Sequence, residues 1–342
     1  MDYTTTLTPD TTQPVAITIG NFDGIHRGHQ HLMHELRKTA ASLDSIPMMV
    51  TFEPHTLMVV RPDIDVKLLT TTAEKLALAQ QYADIDEFML IHFTREVAAM
   101  TAADFLDTLR ARFPLSALVV GDNFSLGNKR MGDVAFLTQY GREHGIVVQS
   151  IPLTEEHHER ISSTRIRTLV SDGDVGAANE LLGHPVLVGG IVMHGDERGR
   201  LIGFPTANLL PEAHRLIPAN GVYAVRVRIY QQEPTPIRIV DRSSDSDTQG
   251  TGRRVQQSDF LQDSTVYNGV ANIGVRPTFN GTERRVEVHL LDVTLDLYDK
   301  YLSVEVIERL RGEQRFAGID ALKAQIAADA QQARHLLQHP GV

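Results

Sequence analysis

The 342-residue chain has no cysteine. That excludes disulfides, a thiolate nucleophile and zinc–thiolate sites. Positive charge is in deficit as well: 33 Lys and Arg stand against 43 Asp and Glu, a formal net charge of -10. A broad, sequence-independent nucleic-acid surface needs clustered cations, so no nucleic-acid partner is expected, although a local basic pocket for a nucleotide is compatible with the balance. No apolar run is long enough to span a bilayer and no basic-then-apolar leader is evident. The expectation is a cytoplasmic protein with no membrane partner, leaving self-association open. No repeat of fixed period is apparent.

What is present is enough for a sizeable core, with 42% hydrophobic residues, and the length predicts two or three domains. In the first half, short apolar runs (VAITIG, PMMVTF, EFMLIHF, SALVVGD, GIVVQSI) alternate with helical stretches (HLMHELRKTA, TTAEKLALAQQYA, TAADFLDTLRARF, DVAFLTQYGREHG). That alternation predicts a parallel sheet with helices on both faces. Ligands on such sheets bind beyond the carboxyl ends of the strands. The junctions GNFDGIH, TFEPH and GDNFSLG all fall there and are expected to meet in one cleft. After Pro152, SSTRIRTLVSDGD and VGAANELLG read as short helices. From about Pro185 the chain turns β-rich, and alternation with Gly/Pro punctuation predicts a small antiparallel barrel or sandwich. The main boundary is placed near Gly183, giving domains 1–183 and 184–342, with a terminal helix over Ala321–Gln338. The polar, Ser/Asp/Gly-rich stretch between Tyr230 and Tyr267 reads as a mobile excursion between two strands.

The most informative junction is GNFDGIHRGH, residues 20–29, between the run VAITI and a helical stretch. Gly20, Gly24 and Gly28 allow a tight turn and close backbone approach. A helix starting near Gly28 offers unpaired N–H groups and a positive dipole end, which suit a phosphate. His26 and His29 can both face the opening of the sheet and donate hydrogen bonds there. A metal site is disfavoured, since His-x-x-His supplies two ligands and no cysteine adds a third. Later, RISSTRIR (160–167) sets Ser163 and Thr164 at a helix start among arginines, a combination that suits phosphates but by itself reads as an N-cap. In the β-rich half, GDERGRLIGFPTANLL carries Gly195, Gly199 and Gly203 as a close-approach backbone, then Thr206 and Asn208 as oxygen ligands for a hard cation such as magnesium. A glycine-rich hairpin explains the same residues. Glu287 alternates with Val286 and Val288, which equally describes a solvent-facing strand carboxylate.

The pattern H-x-G-H after a first strand, followed by the Ser/Thr/Arg segment, resembles the nucleotidylyltransferase superfamily. With GFPTANL, GVYAV, NGVANIGVRPTF and VEVHLLD in that order, the chain resembles the bifunctional riboflavin kinase/FAD synthetases of prokaryotes over nearly its full length. The resemblance implies a Rossmann-like nucleotidylyltransferase domain followed by a small antiparallel β-barrel flavokinase domain with a C-terminal helix. It implies two ATP-dependent reactions: riboflavin to FMN in the second module, and FMN to FAD with release of pyrophosphate in the first. ATP is the co-substrate, magnesium the metal, FMN and FAD the products. Carried over by position, His26, His29 and Glu287 are catalytic. Gly20, Phe22, Gly28, Asn123, Ser163, Thr164 and Arg167 bind the adenylyltransferase ATP and phosphates. Phe52, Pro54, His55 and Arg311 bind flavin, Gly195, Gly199 and Gly203 the kinase nucleotide, and Thr206 and Asn208 the metal. The alternatives are an adenylyltransferase whose β-domain merely binds flavin, and a non-enzymatic flavin carrier. Intact Thr206, Asn208 and Glu287 oppose the first, and the joint presence of H-x-G-H and PTAN opposes the second.

Overall fold

The computed structural model describes residues 1–7, 11–152, 155–156, 159–194, 203–235, 237–239, 252–257, 260–261, 265–278 and 281–338. The chain divides into two compact units. One comprises Met1–Val66, Thr72–Ser162 and Thr235–Phe260, the other Lys67–Thr71, Ser163–Pro234 and Leu261–Val342.

The first unit begins with a short strand that the alternation did not indicate, β1 (Tyr3–Thr5), before the predicted β2 (Val15–Ile19). Helix α1 (Arg27–Ser42) leads to β3 (Ile46–Glu53). Then come α2 (Thr56–Val60), α3 (Thr72–Ala83), β4 (Glu87–His92), α4 (Arg95–Ala99) and α5 (Ala102–Arg110). β5 (Leu115–Gly121), α6 (Val134–His144) and β6 (Val147–Ile151) complete the alternation, and β7 (Glu155–Glu156) pairs with β8 (Glu159–Arg160). The helices start where side chains satisfy orphan N–H groups. Thr101 accepts from the Asp104 N–H at the head of α5, and Asp133 accepts from the Phe136 N–H at the head of α6. α6 stops at Gly145, which takes the left-handed conformation that favours glycine.

β2 is buried on both faces. On one side Ile17, Val50 and Leu118 pack with Phe105 and Leu109 of α5 and Leu137 of α6. On the other, α1 lies over β2, β3 and β5 and against α3. The predicted parallel sheet with helices on both faces is therefore present. Its central strands run in the order β4-β3-β2-β5-β6, all parallel.

In the second unit, α7 (Ser163–Asp172) and α8 (Val175–Leu182) lead to β9 (Val186–Met193), β10 (Ala207–Pro211) and β11 (Gly221–Tyr230). The chain then forms β12 (Ile237–Ile239) and β13 (Gly252–Gln257), returns as β14 (Val266–Thr278), β15 (Gly281–Leu290) and β16 (Tyr301–Arg311), and ends in α9 (Ile319–Gln338). Six of these strands close into a barrel in the order β10-β15-β14-β11-β16-β9, every neighbour antiparallel. Val188, Leu209, Val225, Ile273, Val288 and Val304 fill it. Ala330, Ala333 and Leu337 of α9 pack on Ala224 and Leu291.

The polar excursion corrects an expectation. Its flanks are strands: β13 pairs with β12 and, in parallel, with β1, so the pair extends the first unit's sheet at the β1 edge. A row of unpaired strand groups on β1 is satisfied this way. The expected mobility of residues 240–251 lies outside the described residues.

Candidate active sites

The central strand β2 lies between β3 and β5. The chain passes outward through β3 and β4 and then returns to the other side of β2 as β5 and β6. That reversal is the topological switch point, and ligands on such sheets bind beyond the carboxyl ends of the strands there, here β2 and β5. The turn beginning at Gly20 leaves β2 there, and Gly121-Asp122-Asn123 leaves β5 there. Asn123 is exposed, with its Oδ1 folded back towards Gly121.

The Gly20–His29 turn is tightly determined. A Cβ on Gly20 would lie 2.9 Å from the Phe22 ring, so glycine there makes room for that ring. Phe22 and Ile25 have φ of 49° and 39°, a left-handed conformation costly for non-glycine residues. Asn21 ties the turn to α2: its amide donates to Thr56 Oγ1 at 2.9 Å and its Oδ1 accepts the Thr56 N–H at 3.2 Å. His26, not Gly28, marks the helix start. As N-cap of α1 its Nδ1 accepts the His29 N–H at 3.2 Å, which leaves Gly28 inside the first turn.

The His26 and His29 rings stack with centroids 3.6 Å apart, and Phe22 meets His29 edge-on at 5.2 Å. His29 Nδ1 is buried and has no hydrogen-bond partner among the described residues, leaving Nε2 as the nitrogen a ligand can reach. Burial first, then the His26 ring and the Lys75 ammonium, hold His29 well below the usual imidazole range. The ring is therefore neutral at pH 7.

The remaining residues expected at this site are placed less openly. Phe52, next to last in β3, lies in the core, 5.3 Å from Phe93 and 6.4 Å from Phe105, with only 9% exposure. Pro54 follows a cis peptide bond. His55 is buried as N-cap of α2, its Nδ1 accepting the Leu57 N–H at 3.2 Å. Exposed Leu57 and Val60 on α2 give the open apolar surface that Phe52 does not. Ser163, Thr164 and Arg167 form the first turns of α7 in the second unit.

The second constellation lies on the outside of the barrel. Glu287 of β15 has Asn208 of β10 as its direct partner on one side and Asn272 of β14 on the other. Val286 and Val288 fill the interior, so all three polar residues share the outer face, where cross-strand Cβ atoms lie about 5 Å apart. His289, two residues on, sets its Nδ1 2.8 Å from the Pro205 carbonyl oxygen and its ring edge-on to Phe204, which holds the segment carrying Thr206, just before β10, beside β15. Exposed Thr206 also borders a cavity of about 550 Å³ lined by Val192, Ala207, Val288, Leu290 and the 293–298 segment. Gly203 is exposed with φ of 89°, while Gly195 and Gly199 lie outside the described residues. Arg311, expected near flavin, makes a bidentate ion pair with buried Asp329 of α9, with Nη2–Oδ2 at 2.8 Å and Nε–Oδ1 at 3.0 Å.

An FAD synthetase family model matches residues 8–165 and a riboflavin kinase model residues 182–337. A bifunctional riboflavin kinase/FMN adenylyltransferase of Escherichia coli (strain K12) is 39% identical over 319 residues, covering 93% of this chain and 91% of that protein. The chain belongs to the bifunctional riboflavin kinase/FMN adenylyltransferase family. Members from Pseudomonas fluorescens and Haemophilus influenzae are 36% and 33% identical, each again over more than nine-tenths of both chains. Among solved structures, a Streptococcus pneumoniae protein described as a macrolide-efflux protein shares 29% identity, 95% of each chain and a TM-score of 0.78. Among the described residues no helix is long and apolar enough to cross a membrane. The histidine pair lies within the stretch matched by the FAD synthetase model, and Glu287 within that matched by the riboflavin kinase model.

Sequence reasoning passed over Asn272, Asn21 and Lys75. Asn272 carried a signal, a polar residue at an outward position of the apolar strand VANIGV. Lys75 carried none, since its place is decided by tertiary packing.

Proposed function

We infer that this protein makes FAD from riboflavin in two steps, each at its own site. ATP first phosphorylates the riboflavin 5'-hydroxyl at the barrel, giving FMN and ADP. A second ATP then adenylylates FMN at the histidine pair, giving FAD and pyrophosphate. The observation that carries the two-site reading is the setting of Glu287 between Asn208 and Asn272. A barrel that only held flavin has no need of a carboxylate beside oxygen ligands.

At the kinase site Glu287 takes the proton from the 5'-hydroxyl while that oxygen bonds to the γ-phosphorus and the bond from phosphorus to the ADP oxygen breaks. Asn208 and Thr206 offer hard oxygen donors beside Glu287, a set that fits magnesium. The ion, when bound, neutralises charge on the ATP phosphates. The 550 Å³ cavity bordering Thr206 has the size and apolar lining for the adenine end of ATP.

At the first site the FMN phosphate already carries an ionised oxygen, so no base is needed. That oxygen attacks the α-phosphorus of ATP and pyrophosphate departs. His29, neutral and donating from Nε2, and the N–H groups at the start of α1 meet the charge that builds on the phosphoryl oxygens. Asn123 follows β5 at the same end of the sheet. Ser163, Thr164 and Arg167 are assigned to the ATP phosphates by the family motif. The flavin ring is assigned to the apolar surface near His55 and Pro54. The test is product analysis with riboflavin, ATP and magnesium: FMN accumulates first and FAD follows. FAD from supplied FMN, with no FMN from riboflavin, would reduce the protein to an adenylyltransferase.

A further inference from the structure

Lys75 of α3 is buried, with 5% exposure, and its Nζ donates to Thr51 Oγ1 at 3.3 Å. Thr51 lies on β3, and its hydroxyl in turn donates to the Asn21 carbonyl oxygen at 3.3 Å, in the turn that carries the histidines. A neutral hydroxyl at that distance is a weak partner for a buried ammonium. Burial pulls the Lys75 ammonium below the usual lysine range, and two carboxylates oppose that shift: buried Asp23, inside the turn, and Glu53, at the end of β3. Asp23 stands between Phe22 and Gly24, both left-handed. Such a turn persists only where its surroundings hold it. Phe22 is held by its seat over Gly20, and Asn21 by Thr56. Asp23 is attracted to the Lys75 ammonium.

We propose that Lys75 is a positioning residue for adenylyl transfer: its buried ammonium, linked through Thr51 to the Asn21 carbonyl and facing Asp23, holds the strained turn that seats His29. It touches neither substrate. Its second effect is electrostatic. The charged or titratable groups acting on His29 are His26, stacked on it, and the Lys75 ammonium, and both favour the neutral ring. Loss of Lys75 therefore moves His29 in two ways. The ring loses its seat, and its proton affinity rises.

The proposal rests on the assignment of the His26–His29 pair to adenylyl transfer, so the experiment carries His29→Ala alongside. FAD formation from FMN is measured across pH 5 to 9 for wild type, Lys75→Met, Lys75→Arg and His29→Ala. FMN formation from riboflavin reports on the other site and on folding. In Lys75→Met, kcat for FAD formation is expected to fall about a hundredfold, the scale of a 1 Å misplacement. The inflection of the pH profile moves to higher pH, and FMN formation stays within twofold of wild type. Lys75→Arg keeps the charge, so its inflection stays in place and its loss is smaller. If Lys75→Met does not fold, Lys75→Arg decides alone: unchanged kcat at unchanged pH dependence contradicts a seat fitted to the ammonium. Lys75→Met with wild-type rate and profile overturns the proposal while His29→Ala remains inactive. Full FAD formation by His29→Ala overturns the site assignment itself.

Discussion

Asn208 on β10 and Glu287 on β15 are direct cross-strand partners on the outer face of the barrel, with the Val286 and Val288 positions turned inward. The pairing brings a carboxylate beside an amide oxygen without burying either fully. Glu287→Gln preserves this shape and removes the base. FMN formation should fall by about 10²- to 10⁴-fold, while FAD formation from supplied FMN stays at the wild-type level. A steady-state assay of riboflavin phosphorylation checks it, and near-normal turnover would return Glu287 to a plain strand carboxylate.

The buried neutral His29 makes stability depend on pH in a definite direction. Its folded-state affinity for protons is depressed, against about 6.5 in the unfolded chain. Above pH 6.5 neither state binds the proton and the contribution is fully present. As pH falls from 6.5 towards the lower folded value, the unfolded chain takes up a proton that the folded chain refuses. Stability is then lost, at most about 1.4 kcal/mol per pH unit. His29→Gln should flatten the decline in urea midpoint between pH 7 and pH 5. Parallel declines would show that His29 is not the group responsible.

Asn179 of α8 fastens that helix to the barrel. Its amide donates to the Val306 and Ile307 carbonyl oxygens at 3.0 and 3.1 Å, and its Oδ1 accepts the Val186 N–H at 2.7 Å. Asn179→Ala leaves these backbone groups unpaired and should cost about 1–3 kcal/mol. For the same reason a fragment starting at Ser163 should melt above one starting at His184. Equal melting temperatures would mean that α7 and α8 add nothing to the barrel.

The Arg311–Asp329 pair joins β16 to α9, with the Asp329 side chain 4% exposed. Removing one member leaves the other charge without its partner. Asp329→Ala should destabilise the protein by about 3–5 kcal/mol, read as a shift in denaturant midpoint, with α9 losing amide protection first. Loss of flavin binding without loss of stability would instead support the ligand role expected from the sequence.

Much of this was legible in the chain. The alternation of buried runs and amphipathic stretches specified the parallel sheet because β2 to β6 are covered by helices on both faces. The barrel was legible because its strands alternate inward valines with outward polar residues. The two candidate sites lay in motifs that are local: His26 to His29, and Thr206 to Asn208. What escaped depends on distant partners. β13 is polar and gains its strand form by pairing with β1, some 250 residues away in sequence. Lys75 sits in a helix whose exposed and buried sides do not separate, since Ala73, Glu74, Lys75, Leu76 and Ala77 are all buried. Arg311 was expected near the flavin ring by its position, and only the packing of α9 reveals its bond to Asp329.

The central claim is that two independent sites in one chain act in sequence. It is tested most directly by mixing two variants, His29→Ala and Glu287→Gln, with riboflavin, ATP and magnesium. Alone, the first should stop at FMN and the second should leave riboflavin unchanged. Together they should produce FAD, because FMN released by one is taken up by the other. If the mixture makes no FAD while each variant is folded and each retains its single activity, FMN does not pass through solution between the sites. If either variant alone has lost both activities, the two-site account is contradicted.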